Sequence, residues 1–114
     1  MDSRVIDAVR ENAERCDLVC RSHGLPTTFG DRVWHTPRRS PPFYPDAETL
    51  DPAATADELL ANIDTGPGCA VKDSFAVLDL TPHGFRVLFE AEWIHRPATA
   101  PDAQPAHRHR LRAV

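Results

Sequence analysis

Val5, Ile6, Val9, Ala13, Cys16, Val19 and Cys20 recur mostly at steps of three and four. That spacing lays one apolar stripe along a helix and predicts a helix over residues 2–22. Ser3 is placed to cap its start. Gly24 suits the left-handed position that closes a helix, and Pro26 cannot continue the hydrogen-bond ladder, so the helix ends near Ser22. A second, shorter stripe follows at Leu59, Leu60 and Ile63. Thr55 with Glu58 forms a capping box ahead of it, which predicts a helix over 55–63.

Two later runs change period. "VKDSFAVLDL" is β-like, and in "FRVLFEAEWI" Phe85, Val87, Phe89, Ala91 and Trp93 alternate with Arg86, Leu88, Glu90, Glu92 and Ile94. Strict alternation puts the first set on one face of a strand. "TPHG" between the runs has Pro and Gly where a turn places them, so the pattern predicts an antiparallel β-hairpin with Phe89 and Trp93 on its buried face. A lone hairpin is marginal and needs helices or further strands to cover it.

Between the helices lie Pro26, Pro37, Pro41, Pro42, Pro45 and Pro52, six of eleven prolines in the chain. They hold residues 25–52 extended, as a long loop with one short strand at "AETL". Phe29, Val33, Trp34, Phe43 and Tyr44 are too apolar for a solvated linker and are expected to pack across the domain. The end of the chain, "PATAPDAQPAHRHRLRAV", has no apolar period and reads as disordered. The expectation is an α+β chain: one incomplete domain over 1–97 and a disordered tail over 98–114.

Composition narrows the function. A chain of 114 residues with net charge −4 supports one modest core and lacks the basic surplus of a nucleic-acid binder. No apolar run approaches the roughly 20 residues that span a bilayer, and no secretory signal pattern is present. A cytoplasmic location follows, in which three cysteines stay reduced. Twelve arginines stand against a single lysine, Lys72.

Cys16, Cys20 and His23 share a helix face, but the same face continues the apolar stripe, so the thiols read as core and no metal site is expected. In "IDTGPGC", Pro67 interrupts the Gly66–Gly68 pair and removes an N–H that a phosphate cradle would use, leaving a turn. Asp73, Ser74 and His83 have the residue types of a hydrolytic triad without the elbow that exposes a nucleophile. Glu90 and Glu92 share a strand face that reads as solvated or paired with Arg86. Pro42 and Pro45 in "PRRSPPFYP" have PxxP spacing, but a rigid loop presenting Arg38 and Arg39 as a candidate anion contact is the preferred reading.

"CDLVCRSHGLPTTFGDRVWHTPRRSPPFYPDAETL" with "DTGPGCAVKDSFAVLDLTPHGFRVLFEAEWIHRP" resembles the N-terminal part of GNAT-like (GCN5-related N-acetyltransferase) proteins from GC-rich bacteria. The similarity covers most of residues 1–97 and rests on the text around "PPFYPDA" and "KDSF". It implies the front half of that fold without the acyl-CoA loop, so no catalytic residue is carried over and no cofactor is expected. The tail then reads as the product of a truncation or frameshift in a longer gene. The alternative is a small non-enzymatic interaction module. In either case the partner expected is a protein, or the missing C-terminal half, completing the sheet along an exposed edge.

Overall fold

The computed structural model describes residues 3–95 and 107–114. It contains helix α1 (Ser3–Ser22), strands β1 (Thr28–Phe29), β2 (Val33–His35) and β3 (Ala47–Thr49), helix α2 (Ala56–Leu60), strand β4 (Val71–Asp73), a 3-10 turn at Thr81–His83, and strands β5 (Phe89–His95) and β6 (His107–Ala113). The strands form one mixed sheet in the order β1-β2-β3-β4-β6-β5. β3 and β4 are parallel, joined through α2, and every other neighbouring pair is antiparallel.

Both helices form where periodicity places them, although α2 ends at Leu60, short of the expected Ile63. Val5, Val9, Ala13, Cys16 and Cys20 are the buried stripe of α1. Leu25 N–H donates to Cys20 O and Gly24 N–H to Arg21 O, each at 3.0 Å, the paired bonds of a Schellman ending. Gly24 takes the left-handed φ of 75° that this ending requires. α2 begins at Thr55 with the expected reciprocal capping box to Glu58 and buries Leu59.

Alternation in the short central strands divides the core between the two faces of the sheet. Trp34 joins Val9, Ala13, Cys16, Cys20, Leu50 and Phe75 under α1. Its neighbour Val33 joins Ala47, Leu59, Val71, Leu80 and Val114 under α2. Trp34 also ties α1 to the sheet, because its Nε1 donates to Asp17 Oδ1 at 3.0 Å.

Three expectations need correction. The hairpin does not form: β4 and β5 are separated by β6, which pairs with both. Alternation marks strands but carries no information on which strand lies beside which. Second, the apolar set of β5 is not uniformly core. Trp93 is half-buried against the α1 cluster, whereas Phe89 is 59% and Val87 46% exposed. Third, residues 25–52 are not simply a loop, since β1, β2 and β3 lie within them and Trp34, Ala47 and Leu50 are core. "AETL" does supply β3, but Phe29, Phe43 and Tyr44 stay exposed instead of packing down.

Residues 98–106, the first part of the segment expected to be disordered, lie outside the described residues. His107–Ala113 is β6, set between β4 and β5 with Leu111 buried. Register explains how so basic a segment joins a sheet: β5 places Glu90 opposite Arg112, whose Nε donates to Glu90 Oε1 at 3.0 Å. Opposite charges across a strand pair favour that register.

Candidate functional site

Among the described residues a groove of about 850 Å³ opens on the sheet. Its floor is built on the α1 side of β4, β6 and β5, where register sets Lys72 opposite Ala113 and Leu111 opposite Ala91. The segment Arg39–Pro45 and the turn at Pro67–Gly68 rim one side, and Leu88 and Phe89 the other. The lining is apolar apart from a few groups, and among the described residues its charged members are Arg39 and Lys72.

The rim is held by Arg39. Its guanidinium pairs with the buried Asp46 carboxylate and donates to Asp64 O at 3.0 Å, Gly66 O at 3.3 Å and Pro67 O at 3.1 Å. Asp46 also accepts from Ser40 N–H at 2.7 Å. These contacts explain "PRRSPPFYPD" and "DTGPG" together: one arginine fastens the proline-rich segment to the turn at Asp64–Gly68. On that fixed rim Phe43 is fully exposed with φ at 73°. A bulky residue in the left-handed region costs on the order of 1–2 kcal/mol, and this one recovers none of it by burial.

Lys72 links the groove to a buried polar cluster. Its Nζ donates to Asn12 Oδ1 of α1 at 2.8 Å and lies 4.6 Å from the centre of the Trp93 ring. Trp93 is fixed in turn by Nε1–H donating to Ser74 O at 2.8 Å. Glu48, opposite Lys72 on β3, is fully buried, and among the described residues neither carboxyl oxygen has a hydrogen-bond partner. Ser74 Oγ is unpartnered too. Ser74 and Cys16 face Glu48 without reaching hydrogen-bond geometry. Burial pushes the Glu48 carboxyl up to about 7, against the pull of Lys72. Burial, then the Glu48 charge, pushes the Cys16 thiol up to about 12. A carboxyl and a thiol sealed beneath a helix meet no substrate. The cluster's route outward is Lys72.

The residues nominated from sequence do not converge. Cys16 and Cys20 are buried in the α1 core while His23 is exposed. Among the described residues no group of three or more His, Cys, Asp or Glu is placed to hold a metal ion. The Gly66–Gly68 turn presents carbonyls to Arg39, the opposite polarity to a phosphate cradle. Ser74 is buried and Asp73 Oδ2 accepts from Leu78 N–H at 2.9 Å, whereas His83 sits exposed on the 3-10 turn. Glu90 pairs with Arg112, not Arg86. The side chain of Glu92 lies outside the description. Of the candidate anion contacts, Arg38 is exposed and Arg39 has four donor contacts committed to the rim. Pro42 and Pro45 line the groove.

Sequence reasoning missed Lys72 and Glu48. One signal was available: a lone lysine in a chain with twelve arginines stands where a compact ammonium fits between a ring face and an amide and a planar guanidinium fits less well. For Glu48, within the apolar-flanked "DAETL", no local pattern predicts that a glutamate is buried. Among the described residues no helix is long and apolar enough to cross a membrane. Comparison of the chain with protein-family models, with curated proteins and with solved structures gave no match.

Proposed function

We propose that this chain is a non-enzymatic interaction module that takes an extended apolar segment of a partner protein along β5. The observation that carries this reading is that, among the described residues, no strand pairs with the outer side of β5. The strand is seven residues long, stands at the end of the sheet, and runs beside the groove. An edge strand offers a row of backbone donors and acceptors, and a segment added there continues the pleat, sending alternate side chains toward the groove. Leu88 and Phe89, 58% and 59% exposed, and the outward Phe43 provide apolar surface at its two rims. A lipid could use the groove but not the strand edge, which favours a peptide. A second copy of β5 is disfavoured, because two-fold antiparallel pairing about its middle sets glutamate positions opposite one another. Net charge −4 weighs against a nucleic-acid partner, and three free cysteines fit a cytoplasmic setting.

The test is selection of displayed random heptapeptides on the full chain. The reading expects enriched sequences with alternating apolar residues. Their binding should be lost on Ala91→Arg, which fills the groove from an exposed position, and on N-methylation of alternate peptide amides. Absence of enrichment, or binding indifferent to both changes, overturns it.

A second reading keeps the resemblance to the front of a GNAT-like acyltransferase from a longer bacterial gene. It is favoured by the strand at Ala47–Thr49 leading into α2. α2, however, is five residues long and its first turn is already capped by Thr55 and Glu58, so it offers no open helix N-terminus for a pyrophosphate. This reading expects acetyl-CoA to bind the chain weakly and only at low salt. Tight, salt-insensitive binding in calorimetry would restore a complete cofactor site.

A further inference from the structure

We infer that Glu48 and Lys72 form a proton-controlled switch: with Glu48 protonated the ammonium rests on Trp93 and Asn12, and with Glu48 ionised it leaves the ring for the carboxylate. The inference stands apart from the strand-addition reading and needs no partner. Position in the sheet carries it. In the order β3-β4-β6-β5, Glu48 on β3 and Trp93 on β5 flank Lys72 from opposite sides. The ammonium lies toward Trp93, 4.6 Å from the centre of its ring, and donates to Asn12 Oδ1 at 2.8 Å. On the other flank both oxygens of the buried Glu48 carboxyl, together with Ser74 Oγ, have no hydrogen-bond partner among the described residues. Turning toward β3 takes the ammonium off the ring, so one side chain cannot serve both flanks at once.

A neutral carboxyl makes little demand on a lysine, and the ring face and the amide then hold the ammonium. A carboxylate in the same place requires a counter-charge, because an unpaired buried anion is costly and a charge-assisted hydrogen bond is stronger than one to an amide. The groups that face Glu48 leave Lys72 to supply it. α1 presents Cys16, whose thiol stays neutral with its pKa pushed up to about 12. β2 presents Trp34 at the opposing register position, with its Nε1 committed to Asp17, which also pairs with Arg21. Ser74 offers a hydroxyl but no charge. Burial pushes the Glu48 carboxyl up to about 7, so the change falls near neutral pH: below it Glu48 holds its proton, and above it the proton passes to solvent. Because Lys72 also lines the groove, the proton on Glu48 sets whether an ammonium stands over Trp93 at the groove floor or is drawn back toward β3.

Lys72 is the single lysine of the chain, so isotopically labelled lysine gives one Cε–Hε signal in the magnetic resonance spectrum of the full chain. At acid pH the Trp93 ring current should hold Hε upfield of its position in a solvated lysine. Raising the pH through about 7 should move it downfield. The Glu48 carboxyl carbon, followed in a chain with labelled glutamate and identified by its loss in Glu48→Gln, should titrate with the same midpoint. Glu48→Gln keeps the shape and removes the charge, and in it Hε should stay upfield across the whole series. Coincidence of the two midpoints in the unaltered chain decides the matter even where that variant fails to fold. An Hε signal that stays upfield while the Glu48 carboxyl titrates overturns the switch, and so does the absence of titration at either group. An Hε shift that persists in Glu48→Gln overturns it as well, since another group would then be moving the lysine.

Discussion

Glu48 and Lys72 are register partners on the parallel strands β3 and β4, yet the lysine donates to Asn12 and the carboxyl of Glu48 stays unpartnered among the described residues. A carboxyl so placed is easier to bury as the neutral acid than as the anion. The consequence is a pH dependence opposite to that of an ordinary surface carboxylate.

The folded-state value for Glu48 is about 7 against an ordinary 4.5. Between those values the folded chain holds a proton that the unfolded chain has released, so stability falls as pH rises through this window. The contribution is full below about 4.5 and gone above about 7, on the order of 3 kcal/mol in all. Urea unfolding at a series of pH values should show this slope. Glu48→Gln should flatten it, and an unchanged slope in that variant would place the titrating group elsewhere.

Trp93 and Phe89 share the alternation of β5 but not its environment. Trp93→Ala removes a half-buried ring, the Nε1 bond to Ser74 and the face under Lys72, and should cost about 3 kcal/mol. Phe89→Ala, at an exposed position, should cost under about 0.5 kcal/mol. Paired denaturation curves decide between this and a strand buried along its whole length, which would make the two losses similar.

Ending the chain after residue 106 removes β6, and with it Leu111 and Val114 from the buried set. It also leaves β4 and β5 without the strand that joins them. The shortened chain should lose cooperative unfolding. A retained urea midpoint would mean that residues 107–114 behave as a solvated end.

Gly24→Ala should cost about 1 kcal/mol. A Cβ there meets nothing within 4 Å, so the whole effect comes from holding a non-glycine residue at φ 75° to close α1. Thermal denaturation reads it directly. A loss well beyond that value would point to a collision that the open space does not predict.

Helices were legible in this sequence because their information is local. The stripe from Val5 to Cys20, the stop at Gly24 and the Thr55–Glu58 box each lie within a few residues of what they control. The strand character of β5 and of "AETL" was legible for the same reason, as was the reading of the Cys16–Cys20 face as core.

What the tertiary structure decided was adjacency. β6 lies between β4 and β5 with Arg112 meeting Glu90 of β5 and with Leu111 and Val114 buried, a pairing between residues twenty-two positions apart that no local period encodes. The same holds for the site. Lys72 meets Asn12 across sixty positions and Arg39 meets Pro67 across twenty-eight, so the groove and the cation at its floor exist only once the sheet has brought distant segments together. Local pattern selects which elements form; long-range packing and charge pairing select their neighbours, and a groove is made of neighbours.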